Sequence, residues 1–184
     1  MSSPTEPTGY FAYGSNLNKA DMLARCPDAR PGIPARFEGW RLTFRGVADI
    51  EPAPGRTVHG ALWWLGADDV CNLDRYEGAP SNYRQCLVEV GTTDVRLTAM
   101  TYVMTRRDYL GLPSSWYLGR IEAGFEDWEL PRQELIRAVR ETRAELTELG
   151  VASYSRDGRK RLRAVHSEVA DVDRVRRGGL TPTH

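Results

Sequence analysis

The chain has 184 residues, of which 41% are hydrophobic, so it suits one domain with a real core. Lys plus Arg and Asp plus Glu both number 25, and this neutral balance predicts neither a nucleic-acid partner nor a membrane partner. No uninterrupted apolar run approaches the roughly 20 residues that cross a bilayer. The polar N-terminus also lacks the pattern of a signal peptide, so we predict a cytoplasmic location.

Turn residues and apolar periodicity divide the first two thirds of the chain into short elements. Residues 1–8 are predicted to be a flexible tail, and residues 10–13 a buried strand that stops at Gly14. A short helix is predicted over residues 16–25, with Asn18 and Asp21 in a capping pattern. The remaining elements are strands over 37–45, 58–65, 83–90 and 97–104, a helix over 67–76, and turns at 52–55 and near 91.

Two longer helices complete the predicted domain. Ser114 is a suitable N-cap for the first, and Pro131 begins the second. The domain therefore covers residues 9–154, followed by a locally basic segment over residues 155–184 whose order the pattern leaves open. Because several strands precede the two main helices instead of alternating with helices, we predict an α+β domain.

Cysteine and histidine spacing gives no sign of a metal centre or disulfide framework. The three cysteines, at positions 26, 71 and 86, form no CxxC pair, and the three histidines, at 59, 166 and 184, form no HExxH motif. We therefore expect no metal and no cofactor.

The first candidate site is the segment Tyr13-Gly14-Ser15-Asn16-Leu17, which a strand enters and a helix leaves. Backbone N–H groups at such a junction are not all used by the neighbouring elements, so they can hold an anion. Gly14 lets the main chain approach a ligand, and Ser15 adds a hydroxyl donor. The alternative is a plain turn with a Ser or Asn helix cap.

The second candidate is Glu77, predicted at the end of a short helix and followed by Gly78. The negative end of the helix dipole disfavours an ionised carboxylate there, which raises its pKa and suits a general base. The alternative is a solvated glutamate at a helix end.

The third candidate is a pair of tyrosines, Tyr102 and Tyr117, whose phenols can donate hydrogen bonds to a buried ligand. Alternatively, both are core aromatics.

The order of these segments resembles the gamma-glutamylcyclotransferase-like family. The run over residues 10–17 resembles the opening of that family, and the later elements follow in the same order over most of the chain, to about residue 146. These elements are the proline-glycine turn at 50–55, the strand at 58–63, the segment 73–78 with Tyr83, and a C-terminal signature in Tyr102-Val103-Met104, Pro113-Ser114, Tyr117, Ile121, Gly124 and Leu130-Pro131.

This resemblance implies a small mixed β-barrel with surrounding helices and a cavity at one end. It also implies roles: residues 13–17 bind the alpha-carboxylate of a gamma-glutamyl group, Glu77 is the acid–base catalyst, and Tyr102 and Tyr117 line the pocket. The partner it implies is a small-molecule gamma-glutamyl substrate, with the protein a monomer or homodimer. The enzyme would be of the acyltransferase or amine-lyase type, releasing 5-oxoproline and a free amine.

Two alternatives remain open at this point. One is a gamma-glutamyl amide hydrolase or acyltransferase that uses the same pocket, and the other is a non-catalytic binder of gamma-glutamyl or amine metabolites. The stretch 124–131 departs from the family pattern in its bulky Phe125, Trp128 and Glu129. If it rims the pocket, the acceptor side is narrower or more aromatic. The leaving amine, which is an amino acid, a polyamine or other alkylamine, or a gamma-glutamyl-protected metabolite, is left undetermined.

Overall fold

A computed structural model describes residues 7–149, 160–161 and 181–182. The strands are β1 (Thr8–Ala12), β2 (Arg30–Phe44), β3 (Ala48–Leu65), β4 (Tyr83–Gly91), β5 (Arg96–Met104), β6 (Tyr109–Leu110), β7 (Lys160–Arg161) and β8 (Thr181–Pro182). The helices are α1 (Lys19–Arg25), α2 (Ala67–Glu77), α3 (Ser115–Asp127) and α4 (Arg132–Glu148), and a 3₁₀ turn covers Ser15–Leu17.

Five strands close into a mixed barrel. They lie in the order β2-β3-β1-β5-β4, and β4 returns to β2 through the pair Arg36 and Gly91. The β1–β5 pairing is parallel and the other barrel pairings are antiparallel. This architecture confirms the predicted α+β class and the small mixed β-barrel with surrounding helices.

Strand β1 runs through the middle of this sheet, which explains its apolar sequence. Phe11 and Ala12 are fully buried, and Tyr10 is nearly so. A strand covered on both faces gains free energy from apolar side chains at every position, so it shows a continuous apolar run and no alternation. β1 therefore brings the segment that follows it to one end of the barrel.

The predicted turn at 52–55 is wrong, because β3 continues through it. The register moves from Trp40 opposite Pro52 to Glu38 opposite Thr57, so residues of β3 bulge outward while the ladder resumes on both sides. Gly39 and Gly55, with φ values of 78° and 77°, supply the left-handed conformations that this bulge requires. The hairpin turn between β2 and β3 instead lies at residues 45–47.

Helix ends follow the predicted caps. The Asn18 side chain accepts a hydrogen bond from the Asp21 N–H at 3.0 Å, so α1 begins after Asn18 and the residues before it form the 3₁₀ turn. The Ser114 hydroxyl accepts from the Tyr117 N–H at 3.2 Å and starts α3. Gly78, at φ 62°, ends α2 in the left-handed conformation.

The two chain ends are only partly described. Of the predicted tail, residues 1–6 lie outside the described residues, and Thr8 already belongs to β1. Most of the predicted basic segment 155–184 also lies outside them. Its described parts are β7, which pairs with β6, and β8, which pairs with β4. Among the described helices, none combines the length and apolar character needed to cross a bilayer.

Candidate active site

A cleft of about 810 Å³ opens at one end of the barrel. Its walls come from the β2–β3 hairpin turn, the C-terminal end of α2, the adjoining ends of β4 and β5, and the start of α3. The lining residues are Ser15, Arg45, Gly46, Val47, Tyr76, Glu77, Ser81, Asn82, Tyr83, Met104, Thr105, Arg106, Tyr109, Leu112, Ser114 and Tyr117.

Glu77 is the carboxylate that α2 presents to this cleft. It is the last residue of the helix. The Asn16 amide Nδ2 donates to its Oε1 at 2.7 Å and to the Tyr10 hydroxyl at 2.8 Å. The Arg25 guanidinium donates to the Asn16 Oδ1 at 2.6 Å, which fixes the orientation of the amide. The 3₁₀ turn therefore holds the Glu77 carboxylate in place through Asn16.

Burial makes Glu77 a carboxylate that titrates near neutrality. Desolvation raises the pKa of Glu77 from 4.5 to about 7, while the hydrogen bond from Asn16 and the charge of Arg25 lower it and partly offset the rise. A group with this pKa can both accept and return a proton at neutral pH.

The residues of the predicted segment 13–17 lie partly in the cleft and partly in the core. Ser15 lines the cleft, whereas Leu17 is fully buried in the core. The Tyr13 hydroxyl donates to the Tyr102 carbonyl at 2.6 Å, so it ties β1 to β5 inside the protein. A Cβ on Gly14 would lie 3.1 Å from the Ala48 Cβ, so the missing side chain allows the β2–β3 hairpin to pack closely here.

The first hydrogen bond of the 3₁₀ turn runs from the Leu17 N–H to the Gly14 carbonyl. The N–H groups of Ser15 and Asn16 precede that bond, so the turn itself does not use them. These are the main-chain donors that the sequence predicted at this junction.

The two predicted pocket tyrosines lie in different places. Tyr117 lines the cleft, and its phenol oxygen accepts a hydrogen bond from the Ala48 N–H at 3.2 Å. Tyr102 is absent from the described lining residues. Its ring packs edge-to-face on Tyr10 with centroids 5.8 Å apart, and its hydroxyl donates to Asp74 Oδ1 at 2.7 Å. Tyr117 therefore lines the same cleft as Glu77, whereas Tyr102 on β5 is not among the residues that line it.

Residues 10–128 match the family model described as gamma-glutamyl cyclotransferase, AIG2-like. The chain belongs to this gamma-glutamylcyclotransferase family. It is 31% identical over 146 residues to a mouse gamma-glutamylcyclotransferase, with 71% of this chain and 77% of the mouse protein covered.

Two further relatives agree with this assignment. A human gamma-glutamylcyclotransferase is 32% identical over 146 residues, with the same coverage of 71% and 77%. A solved structure of a gamma-glutamyl cyclotransferase superposes with a TM-score of 0.66 at 26% identity, covering 92% of this chain and 99% of that one. The family match includes the 3₁₀ turn, Glu77 and Tyr117.

Tyr83 and Arg25 received no role from the sequence. Tyr83 lines the cleft, and its hydroxyl donates to the Ala48 carbonyl at 2.7 Å. Arg25 orients Asn16 from α1 and lies over the Tyr76 ring at 3.8 Å. The spacing of Tyr83 after Glu77 was part of the family resemblance, but no local pattern indicated Arg25, because its contact with Asn16 depends on how α1 packs.

The bulky residues of the stretch 124–131 do not rim the cleft. Phe125 and Trp128 are buried, at 2% and 5% exposure, and the Trp128 indole N–H donates to the Leu17 carbonyl at 2.7 Å. Packing of α3 against the 3₁₀ turn directs both side chains into the core. The condition under which these residues would narrow the acceptor side is therefore not met.

A buried ionic cluster supports the opposite wall. Asp49 is fully buried, lies 3.2 Å from Arg45 and 3.4 Å from Arg107, and accepts from the Met104 N–H at 3.0 Å. Desolvation raises the pKa of Asp49 even though both guanidinium groups lower it. Asp49 thus joins the β2–β3 hairpin to the end of β5. Among the described residues, no group of His, Cys, Asp or Glu is arranged to hold a metal ion.

Proposed function

We propose that this chain is a gamma-glutamylcyclotransferase that converts a gamma-glutamyl amide into 5-oxoproline and a free amine, with Glu77 as its proton carrier. The observation that carries the proposal is the Glu77 carboxylate, which faces the cleft, is bonded to Asn16 and titrates near pH 7. The three curated relatives, all called gamma-glutamylcyclotransferases, support the same activity.

The reaction needs little beyond orientation and proton transfer. The alpha-amine of the substrate attacks its own gamma-carbonyl carbon, a new C–N bond closes the five-membered lactam, and the original amide C–N bond breaks. Well-oriented intramolecular attack of this kind is worth roughly 7–11 kcal/mol of barrier. The nucleophile is part of the substrate, so no nucleophilic side chain is required.

Glu77 accounts for the proton balance. The alpha-amine, whose pKa is about 8, is protonated near neutral pH and must lose a proton before it can attack. The Glu77 carboxylate accepts the first proton from the ammonium group and gives it to the departing nitrogen. The attacking nitrogen loses a second proton as the lactam forms, and the released amine takes this proton up through Glu77 and leaves as an ammonium ion. General acid–base catalysis by one positioned group contributes about 10²–10⁴-fold.

The 3₁₀ turn supplies the complementary binding group. The turn does not use the N–H groups of Ser15 and Asn16, and the side chain of Asn16 in the same turn donates to the Glu77 carboxylate. We assign the alpha-carboxylate of the substrate to these donors, which directs the alpha-amine toward Glu77. This assignment makes the gamma-glutamyl half the fixed part of the substrate. The leaving amine lies toward the outer cleft, whose lining includes Asn82, Thr105 and Arg106.

The test uses a panel of gamma-glutamyl dipeptides, gamma-glutamyl alkylamines and gamma-glutamyl polyamines. Mass spectrometry should detect 5-oxoproline and the free amine from at least one of them. Release of glutamate in place of 5-oxoproline would make the protein a hydrolase, and transfer to an added amine would make it an acyltransferase. Binding without any turnover across the panel would refute catalysis and favour the binder.

A further inference from the structure

The main chain of Ala48 makes hydrogen bonds with two phenols, as a donor to one and as an acceptor from the other. Ala48 follows the β2–β3 hairpin turn and is 2% exposed. Its N–H donates to the Tyr117 oxygen at 3.2 Å, and its carbonyl accepts from the Tyr83 hydroxyl at 2.7 Å. Tyr117 comes from α3 and Tyr83 from the start of β4, so three separate elements meet at Ala48.

These two contacts decide what each phenol can still offer. A phenol has one proton to donate and lone pairs with which to accept. Tyr83 uses its proton on the Ala48 carbonyl, so its oxygen remains an acceptor. Tyr117 uses a lone pair on the Ala48 N–H, so its proton remains available, and burial raises the pKa of both phenols, which keeps both protonated at neutral pH.

Both phenols lie close enough to the Glu77 carboxylate to respond to its charge. That charge raises the pKa of Tyr83 and of Tyr117, after the larger effect of burial. A hydrogen bond with the Ser15 side chain lowers the pKa of Tyr117. The charges of Asp49 and Tyr109 raise the pKa of Tyr83. The carboxylate, one acceptor and one donor therefore line the same cleft.

We infer that Ala48 fixes the hydrogen-bond polarity of this site, so that Tyr83 accepts from the substrate alpha-amine and Tyr117 donates to the gamma-carbonyl oxygen. The inference rests on the proposed function, because it uses the substrate assigned there. The amine must approach Glu77 to lose its proton, and an ammonium group has further N–H bonds that need acceptors. The carbonyl oxygen gains negative charge during attack and needs a donor.

The two phenols should therefore affect different steps. The Tyr83 contact is present in the bound ground state, so its loss weakens binding of ligands that carry the amine. The Tyr117 contact strengthens as charge develops on the oxygen, so its loss lowers kcat more than it raises KM. Removal of a single oxyanion donor costs about 10²–10³-fold in kcat.

The experiment compares two small ligands that differ only in the amine. NMR titration measures the dissociation constants of L-glutamate and glutarate for the wild type and for Tyr83→Phe, which keeps the ring. A hydrogen bond to a charged group is worth about 1.5–3 kcal/mol, so Tyr83→Phe should weaken L-glutamate binding by about 10-fold or more. Glutarate binding should change less than about twofold. Equal weakening of both ligands would overturn the assignment of Tyr83.

A second measurement needs no variant at this position. The wild type should bind L-glutamate at least about tenfold more tightly than glutarate, and equal affinity would also overturn the inference.

For Tyr117→Phe, steady-state kinetics on the best panel substrate should show kcat reduced by about 10²-fold with KM within about threefold. A rise in KM at unchanged kcat would contradict the donor role.

Failure of the proposed function gives a different result. If no panel member yields 5-oxoproline, the cyclotransferase proposal fails, but the ligand titrations still decide the polarity of Tyr83. If turnover is present and Tyr83→Phe weakens the binding of L-glutamate and glutarate equally, the proposed function stands and the inference about hydrogen-bond polarity fails.

Discussion

Substitution Glu77→Gln should remove turnover and stabilise the folded protein at the same time. Glutamine keeps the oxygen that accepts from Asn16 but cannot carry the proton. The product-formation rate should therefore fall by about 10²–10⁴-fold. The stability gain follows because the variant no longer has to bury an ionised carboxylate.

The size of that gain follows from the pKa of Glu77. The pKa rises from 4.5 to about 7, a difference of about 2.5. At 1.36 kcal/mol per unit, this corresponds to a cost of up to about 3 kcal/mol above pH 7. The folded protein binds this proton more tightly than the unfolded chain, so wild-type stability falls as pH rises from 4.5 through 7. Below pH 4.5 the cost is absent.

The assay is urea unfolding of both proteins at pH 5 and pH 8.5. The advantage of the Gln variant should grow by roughly 2–3 kcal/mol between these two values. Glu89→Gln, at an exposed position of β4, is the matched control and should show neither this pH-dependent gain nor a loss of turnover. A constant advantage across pH would show that Glu77 is not held in a desolvated position, and wild-type turnover in Glu77→Gln would remove its catalytic role.

Three further predictions concern the supports of the site. Asn16→Ala removes a donor that lowers the pKa of Glu77, so the acidic limb of the kcat/KM profile should move above pH 7, and an unchanged limb would contradict the contact. Asp49→Ala leaves buried Arg45 and half-buried Arg107 without the carboxylate that they share, while Arg45 keeps Glu51, and should cost up to about 3 kcal/mol in urea unfolding. Gly124→Ala places a Cβ 2.5 Å from that of Leu17 and should cost about 1–3 kcal/mol, together with reduced kcat/KM. Gly119→Ala, in the same helix with open space around it, should be neutral or stabilising by up to about 1 kcal/mol, and equal effects of the two substitutions would refute the packing argument.

Local patterns in the sequence identified most elements because they report short-range physics. The apolar run at β1, the Asn18 and Ser114 caps and the Gly78 helix end all act within a few residues. The turn predicted at 52–55 failed for the same reason. Proline and glycine there mark a local departure from extended backbone, but only the pairing of β3 with β2 decides that the strand continues past it.

The site was predictable as a set of segments but not as a set of contacts. The resemblance joined the 13–17 segment to Glu77 in order along the chain, and the Asn16 contact joins them in space. Tyr102 and Tyr117 are both aromatic residues on predicted elements, yet only Tyr117 reaches the cleft. Which side of the barrel wall a strand residue faces depends on register, and the sequence alone leaves register open.

By itself the sequence determined the apolar run of β1, the helix caps and the presence of a glutamate at the end of a helix before glycine. Each of these depends on neighbours within about one turn of chain. Only the tertiary structure decided the pKa of that glutamate and the opposite hydrogen bonds of Tyr83 and Tyr117. Desolvation and hydrogen-bond direction depend on atoms that are distant in sequence, and closure of the barrel brings those atoms together.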